Sequence, residues 1–225
     1  MKKIIFAFAA IALLFACKEK DEVNSKIPEG AVDLGIVMTR ADGTTYKLYW
    51  AKSNLGENGL CANIDDYGDY YAWGETEDKT NYSWSTYKFG TNESGPFSKY
   101  NGTDNKTVLD PEDDVAHLKL GGKWRMPTQE EWNALKSQCK FGAYKGEVTG
   151  FLFTGPNGNT LLLPFSGSRE GSELEGERDY CCYWSSSFNP DYPSCAASFN
   201  FDSDAGNGMS TIDRFYGYSI RPVTE

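Results

Sequence analysis

The chain has 225 residues, of which 32 are acidic and 22 basic, and its formal net charge at pH 7 is −10. This acidic balance argues against binding to nucleic acid or to anionic lipid surfaces, since both require a basic face. Aromatic residues make up 15% of the chain, which is typical of a globular protein with a large core and excludes an intrinsically disordered one.

The N-terminal segment has the features of an export signal. Lys2 and Lys3 precede an apolar run, residues 4–15, that is too short to span a membrane. The run ends at Ala16-Cys17 in a sequence that resembles the lipobox of bacterial lipoproteins. The resemblance implies cleavage before Cys17 and attachment of lipid to that cysteine. An ordinary signal peptide with a cysteine nearby is the alternative.

The lipobox sets the predicted organisation of the chain. The charged segment after Cys17 resembles the export tags of surface lipoproteins from gut anaerobes. We therefore expect an outer membrane lipoprotein exposed at the cell surface, with the lipid anchor as its only contact with a membrane. The remaining length suits one domain. We predict a signal peptide over residues 1–16, a tether over residues 17–28 and one domain over residues 29–225.

Strand patterns begin soon after the tether. Residues 32–34 and 46–51 flank an Ala-Asp-Gly turn signal at residues 41–43, which predicts a β-hairpin. Residues 70–73 are an aromatic run between glycines, which indicates a buried strand or an ordered loop. Residues 76–107 have a loop composition with interspersed aromatic residues, so they predict a long, packed loop.

Two helix starts follow. The DPEDD sequence at residues 110–114 places a capping aspartate before a proline and acids in the first turn, and the glycine pair at 121–122 ends this helix. Thr128 and Glu131 stand in capping-box spacing, so a second helix is predicted from Thr128 to about Cys139. Three residues form its buried stripe: Trp132, Leu135 and Cys139.

From residue 146 onward the pattern is β. Residues 147–154 and 160–163 alternate around a Gly-Pro-Asn-Gly-Asn turn, which predicts a second hairpin. Residues 180–187, 195–202 and 215–223 are further candidate strands. Two helices followed by short antiparallel strands indicate an α+β domain.

Four motifs, in the order in which they occur along the chain, resemble those of a known superfamily. The sequence WRMPTQEEW at residues 124–132 is similar to the strand-to-helix signature in the bacterial branch of the C-type-lectin-like superfamily. Residues 68–75 (GDYYAWGE), 183–187 (YWSSS) and 217–223 (GYSIRPV) match further pieces. The branch includes the Fibrobacter succinogenes major paralogous domain and, more distantly, the formylglycine-generating enzymes. The resemblance implies a C-type-lectin-like fold and is much less specific for function.

Metal and enzyme chemistry have little support in the sequence. Formylglycine-generating enzymes use a cysteine pair that binds copper, whereas the side chains of the adjacent Cys181-Cys182 diverge on an extended strand. His117 is the only histidine and there is no CxxC pair, which argues against zinc. With Asp114, His117 is more simply part of a helix cap. We therefore expect a protein that is not an enzyme and has no cofactor.

Two acidic segments are candidate calcium sites. Asn189-Pro190-Asp191 is faintly similar to the sugar-binding tripeptide of calcium-dependent lectins, but its first residue is too short. Residues 202–208 have the acids of a calcium loop, but glycine occupies the third ligand position. Calcium needs several oxygens that converge from more than one segment. Plain turns are therefore the favoured interpretation of both.

The cysteines leave several arrangements open. If Cys17 carries lipid, an odd number remains, so at least one thiol stays free. Cys139 on the helix stripe is most simply a buried small hydrophobe. Cys181 or Cys182 could pair with Cys195 across two strands, and the sequence does not fix the connectivity. The five remaining cysteines are Cys61, Cys139, Cys181, Cys182 and Cys195.

The C-terminal third carries the predicted function. Between residues 187 and 217, aromatic residues mix with asparagine, aspartate and serine, which gives contact area with adaptable hydrogen bonds and suits the faces and hydroxyl groups of sugars. We predict that this face binds a protein or glycan ligand. The candidate residues are Phe188, Asn189, Asp191, Tyr192, Ser194, Asn200, Asp204, Asn207, Met209, Asp213 and Phe215. A surface loop with incidental aromatic residues is the alternative.

The resemblance adds one hypothesis to this prediction. Some C-type-lectin-like proteins have a C-terminal region that is rewritten by diversity-generating retroelements and forms the ligand face; here residues 180–216 correspond to it. Two other functions stay open from the sequence. One is a structural envelope or fimbria-like component, and the other is a degenerate relative of formylglycine-generating enzymes.

Overall fold

A computed structural model describes residues 26–202 and 206–225. The predicted signal peptide, Cys17, most of the tether and Asp204 lie outside these residues. Strands take up 38% of the structure and helices 11%, so the fold is mainly β. The prediction of an α+β, C-type-lectin-like fold, with two helices followed by strands, is wrong. The reason is that both helices are short and that several strands lack a clear alternating pattern in the sequence.

The elements have the following bounds. The strands are β1 (Ala31–Thr39), β2 (Thr45–Ala51), β3 (Leu55–Gly56), β4 (Gly59–Leu60), β5 (Tyr70–Tyr71), β6 (Lys140–Lys145), β7 (Thr149–Thr154), β8 (Thr160–Pro164), β9 (Ser168–Glu170), β10 (Glu173–Glu175), β11 (Tyr180–Trp184), β12 (Cys195–Asp202), β13 (Gly206–Asp213), β14 (Tyr218–Ser219) and β15 (Val223–Thr224). The helices are α1 (Val115–Leu120) and α2 (Gln129–Gln138), with 3-10 turns at Trp84–Thr86 and Pro111–Asp113. Within the described residues, no helix is both long and apolar enough to cross a membrane.

The first sheet joins the two ends of the described chain. Its strand order is β1-β2-β15, and the predicted N-terminal hairpin is confirmed as β1 and β2. Trp50 of β2 lies opposite Val32 on one side and Val223 on the other. Asp42 shapes the hairpin turn because its carboxylate accepts hydrogen bonds from the backbone and hydroxyl of Thr44.

The central sheet has five strands in the order β13-β12-β11-β14-β5. Alternate residues of β11 and β12 point to opposite faces, and each face has its own apolar cluster. Cys182 and Trp184 belong to one cluster, and Cys181 and Phe199 to the other. The sequence prediction of β12 is confirmed, whereas β13 is missed: it begins at Gly206, inside the segment 202–208 for which the sequence favours a plain turn.

A third sheet, in the order β6-β7-β8, covers one side of the core. The hairpin predicted around residues 155–159 is confirmed as β7 and β8, which pair from Gly150↔Pro164 to Thr154↔Thr160. Strand β6 was missed because its sequence, KFGAYK, is mostly exposed and has no apolar alternation.

Helix α2 begins where local physics predicts. The Thr128 hydroxyl accepts a hydrogen bond from the Glu131 amide, and the Glu131 carboxylate accepts one from the Thr128 amide, so the capping box is formed. Trp132 is fully buried and stacks on Phe199 of β12 with ring centroids 4.6 Å apart. The helix is thereby fixed against the central sheet.

Helix α1 begins later than predicted. Asp110 caps only the short turn Pro111–Asp113, and its carboxylate is bound by Lys99 and Lys106. Asp114 is the true cap, since it accepts hydrogen bonds from the amides of Ala116 and His117. The Asp110 carboxylate is thus engaged by lysines of the preceding loop and makes no side-chain capping hydrogen bond.

The long segment 76–107 is packed, as predicted. Tyr82, Tyr87 and Tyr100 are almost fully buried. The hydroxyl of Tyr87 donates to the Trp73 carbonyl at 2.8 Å, and that of Tyr82 donates to the Tyr70 carbonyl at 2.6 Å. These tyrosines fix the segment against the edge of the central sheet.

Candidate ligand-binding surface

The structure separates the predicted binding residues into three places. Asn189, Asp191 and Tyr192 lie on the loop between β11 and β12. Asn200 and Met209 lie toward the far end of the β12–β13 hairpin, on opposite faces of it. The remaining residues with a described position, Phe188, Ser194, Asp213 and Phe215, lie near the other end of the hairpin. Asp204 and the side chain of Asn207 are outside the described part of the chain.

Phe188 is not available to a ligand, so its inclusion in the binding face is corrected. Its side chain is 5% exposed and stacks on Trp73 with ring centroids 5.7 Å apart. Its amide donates to the Thr107 carbonyl at 2.7 Å. Phe188 anchors the loop in the core instead, because burying a phenyl ring stabilises the fold more than exposing it.

The loop after Phe188 is a turn that presents Tyr192. The side-chain oxygen of Asn189 accepts a hydrogen bond from the Asp191 amide at 3.0 Å, which is the geometry of an Asx turn. This supports the plain-turn interpretation of Asn189-Pro190-Asp191. Tyr192 is 63% exposed, the largest exposed fraction among the exposed large apolar and aromatic side chains of the described chain.

Phe215 belongs to a continuous row of aromatic rings, which we call the aromatic row: Phe97, Trp84, Phe215 and Tyr216. The ring centroids of successive members are 5.8, 5.2 and 4.4 Å apart. Phe215 is buried between its neighbours, which corrects its prediction as a direct ligand contact. The other three members are half-buried and present part of their rings to solvent.

Sequence reasoning missed Phe97 and Trp84 because they lie more than a hundred residues before Phe215. They come from the long packed segment, whose interspersed aromatic residues were the only signal. Tertiary packing brings that segment to the β12–β13 hairpin. The same segment also packs closely against the loop between β11 and β12, since a Cβ atom added to Gly102 would lie 2.7 Å from the Pro190 carbonyl oxygen.

A cavity of about 400 Å³ adjoins the aromatic row. Phe97 and Ser194 both line it, together with Glu93 and Asn101. Ser194 is thus the predicted residue that the fold brings to a concave surface. The volume is within the range of small-molecule sites, which is roughly 300–1,000 Å³.

Arg214 packs against the Phe97 ring that lines this cavity. Its guanidinium is fully buried, with Cζ 4.4 Å from the centroid of the Phe97 ring, and it donates one hydrogen bond to the Tyr100 carbonyl at 3.1 Å. Its Nε and Nη2 atoms have no hydrogen-bond partner among the described residues. Burial lowers the pKa of Arg214. The cation stabilises the ring above it.

Carboxylates border the aromatic row. Burial raises the pKa of Asp213, and the negative charges of Glu93 and Glu170 raise it further. Burial also raises the pKa of Tyr216, and the negative charge of Glu170 raises it further. The row therefore combines ring faces with hydrogen-bond acceptors at its margin.

The described cysteines form no disulfide bond. All five described cysteines are free. In the β11–β12 register Cys181 faces Phe201 and Cys182 faces Asn200, so Cys195 lies five residues or more away along β12, or ~17 Å. That separation is too long for a disulfide, so the pairing with Cys195 that the sequence left open does not form.

The adjacent cysteines are also inert in chemical terms. Cys181 and Cys182 point into different apolar clusters, so they cannot share one metal ion. Burial raises the pKa of the Cys182 thiol to about 12 and that of Cys181 well above its usual range. Thiols of this kind are poor nucleophiles.

Among the described residues, one group of three carboxylates is compact enough to hold a metal ion. Ligand oxygens of Asp110, Glu112 and Asp113 lie within 4.8 Å of one another. The Lys99 ammonium contacts all three at 2.6, 2.9 and 2.6 Å. This group is therefore an ion-pair network with its own cation.

Comparisons with known proteins add no identification. No family model matches the chain, and neither a curated protein nor a solved structure matches it. The resemblance to the C-type-lectin-like superfamily in sequence motifs therefore stays a prediction.

Proposed function

We propose that the protein is a ligand-binding module, without enzymatic activity, that acts at the cell surface. The aromatic row carries the proposal, because it joins partly exposed rings from two distant segments beside a cavity lined by Ser194. Half-buried rings held by neighbours lose little conformational entropy when a ligand contacts them.

A glycan is the ligand class that this surface suits best. Sugar rings present apolar C–H groups on their faces and hydroxyl groups at their edges. The exposed parts of the Trp84 and Tyr216 rings offer apolar contact area, while Ser194 and the carboxylates of Glu170 and Asp213 offer hydrogen-bond acceptors. A protein ligand is the second possibility, since tyrosine and tryptophan also dominate protein interfaces.

The proposed cellular location is based on the N-terminal sequence. A lipid on Cys17 would hold the domain at the outer membrane through a short tether, with the anchor as the only membrane contact. The acidic surface would repel anionic lipid and nucleic acid. We also keep the hypothesis that residues 180–216 are diversified. A near-copy of their coding sequence beside a reverse-transcriptase gene is the finding that supports it, and its absence removes the hypothesis.

A structural envelope role has one observation in its favour. Strand β13 lies at the edge of the five-stranded sheet and offers eight residues to a further strand. Such an edge can accept a strand from a second chain. The degenerate-enzyme alternative gains nothing from Cys181 and Cys182, whose side chains point apart.

The test is binding of the purified protein to a combined glycan and protein array, with and without calcium. We expect a glycan signal that Trp84→Ala or Tyr216→Ala reduces at least about ten-fold, because aromatic contacts at the centre of a binding site are worth about 2 kcal/mol or more. Trp124→Ala is the matched control, since Trp124 is half-buried and lies outside the aromatic row.

The other outcomes discriminate among the alternatives. Equal loss in the Trp124→Ala control would place the site elsewhere. A signal lost in Tyr192→Ala and Asp191→Ala alone would move it to the exposed loop. A blank array, with the protein assembling into polymers, would favour the structural role.

A further inference from the structure

A second cavity lies away from the aromatic row, and it includes part of the GDYYAWGE motif. It has a volume of about 410 Å³ and lies between the Gly68–Tyr70 segment, residues 78–82 and the β9–β10 hairpin. Its size is within the range of small-molecule sites. The proposed binding surface uses none of its residues.

The aromatic walls of this cavity are held in place by buried hydrogen bonds. The Tyr70 hydroxyl donates to the Ser166 carbonyl at 2.5 Å, and the Tyr82 hydroxyl donates to the Tyr70 carbonyl at 2.6 Å. Both side chains are at most 7% exposed. The walls are therefore preformed, so a ligand would not have to order them.

The cavity contains a cation that lacks an anionic partner. Arg169 lies with Cζ 5.0 Å from the centroid of the Tyr70 ring, and no carboxylate within the described ranges forms an ion pair with it. Its amide donates to the Gly217 carbonyl at 2.8 Å, which fixes the backbone at this point. Lys79, the other cation of the cavity, is neutralised by Glu75 at 2.8 Å.

Asp69 and the exposed Asp78 form no ion pair within the described part of the chain, although the positive charge of Lys119 acts on Asp69. Asp69 is half-buried and accepts one hydrogen bond, from the Tyr71 hydroxyl at 3.3 Å. Burial raises the pKa of Asp69, and the negative charge of nearby Asp78 raises it further. No hydrogen bond or ion pair joins Asp78 to any residue that the structure describes. Two like charges at one site are relieved by a cation between them.

We propose that this cavity binds a small zwitterion of the α-amino acid class. The ligand carboxylate binds the Arg169 guanidinium, which can donate two parallel hydrogen bonds to it. The ligand ammonium binds between Asp69 and Asp78. Each ligand charge thus meets the protein charge that lacks a partner, and the two fixed tyrosine rings limit the space for the side chain.

The test is isothermal titration of the purified protein with the standard L-amino acids, followed by derivatives of the best binder. The N-acetyl derivative removes the ammonium charge and the methyl ester removes the carboxylate. We expect each derivative to bind at least about ten-fold more weakly, since a hydrogen bond to a charged group contributes about 1.5–3 kcal/mol. This comparison uses only the unmodified protein, so it does not depend on whether a variant folds.

Two variants locate the site. Arg169→Gln should weaken the amino acid at least about ten-fold and leave the affinity for the methyl ester nearly unchanged. Asp78→Asn should likewise weaken binding of the amino acid and leave the affinity for the N-acetyl derivative nearly unchanged. Arg178→Gln and Asp179→Asn are matched controls, because both residues are exposed and lie outside the cavity.

Three results would overturn the proposal. The first is no binding of any amino acid. The second is equal affinity for the zwitterion and both derivatives. The third is a loss in the control variants as large as in Arg169→Gln. Binding of calcium alone, abolished by Asp78→Asn, would instead identify a cation site.

Discussion

The Glu131 carboxylate is expected to be one of the most important polar groups for stability. It is 1% exposed and accepts hydrogen bonds from both Nη atoms of Arg125, at 2.7 and 2.6 Å. It also accepts from the Tyr46 hydroxyl at 3.0 Å and from the Thr128 amide at 2.8 Å. One carboxylate thus joins the start of α2, strand β2 and the segment before the helix.

The substitution Glu131→Gln keeps the shape of the side chain and removes its charge. Removing one partner of a buried ion pair costs about 3–5 kcal/mol, whereas the glutamine side-chain oxygen can still accept the capping-box hydrogen bond from the Thr128 amide. The Arg125 side chain is 29% exposed, so water compensates part of its charge. We therefore expect a loss of about 3 kcal/mol in the free energy of unfolding, or about 6–12 °C in Tm for a chain of this size.

The pKa values agree with this assignment. Burial lowers the pKa of Arg125, but the hydrogen bonds and charge of Glu131 outweigh it and raise the pKa. Burial and the charge of Glu131 raise the pKa of Tyr46 to about 12. Both groups therefore keep the protonation state that the network needs throughout the physiological pH range.

Urea unfolding followed by circular dichroism measures the effect, with Glu130→Gln as the matched control. Glu130 occupies the same helical turn but is exposed, so its substitution should change stability by no more than about 0.5 kcal/mol. If the two variants differ by less than about 1 kcal/mol, the reasoning from burial and hydrogen bonding is refuted.

Three further predictions concern pH, backbone conformation and thiol reactivity. Burial raises the pKa of Asp113, but hydrogen bonds from two lysines and a tyrosine outweigh it and hold the pKa below its usual range. Its contribution is therefore present above about pH 4 and is lost progressively as the pH falls from there through the lowered pKa, so the stability difference between the wild type and Asp113→Asn should shrink on acidification in urea unfolding. Gly68 has φ +72° and a Cβ there would overlap a backbone carbonyl oxygen, whereas Gly43 has φ +83° and open space. Gly68→Ala should lower Tm more than Gly43→Ala, which bears only backbone strain of about 1–2 kcal/mol, and equal effects would contradict this. Among the five cysteines that the structure describes, brief iodoacetamide treatment of the native protein should modify only the half-buried Cys61 and Cys195, and mass spectrometry should find the buried thiols modified only in urea.

Local signals predicted individual elements well. The capping box fixed the start of α2 at Thr128, because both of its hydrogen bonds form within four residues. The hairpin around residues 155–159 followed from a turn and two flanking apolar runs. Asp110 shows the limit of such reasoning, since lysines of the preceding loop bind its carboxylate and Asp114 caps the helix instead.

The fold class was wrong for a related reason. The predicted strand at residues 215–223 contains only β14 and β15, which pair with different sheets. Strands β6 and β13 have weak alternation and are stabilised by their partners. Each of these two strands pairs with the strand next to it in the chain, β6 with β7 and β13 with β12, so hairpin pairing supplied β structure that the sequence pattern did not show.

The sequence by itself determined the acidic character of the chain, the helix that starts at Thr128, the hairpin turns and the aromatic content of the long loop. Each of these depends on residues that are close together in the chain. Only the tertiary structure decided that Phe188 is buried, that Trp84 meets Phe215, and that Arg169 shares a cavity with Asp69. Such contacts depend on strand register and loop packing, which are set by the sum of many weak long-range interactions and leave no local pattern in the sequence.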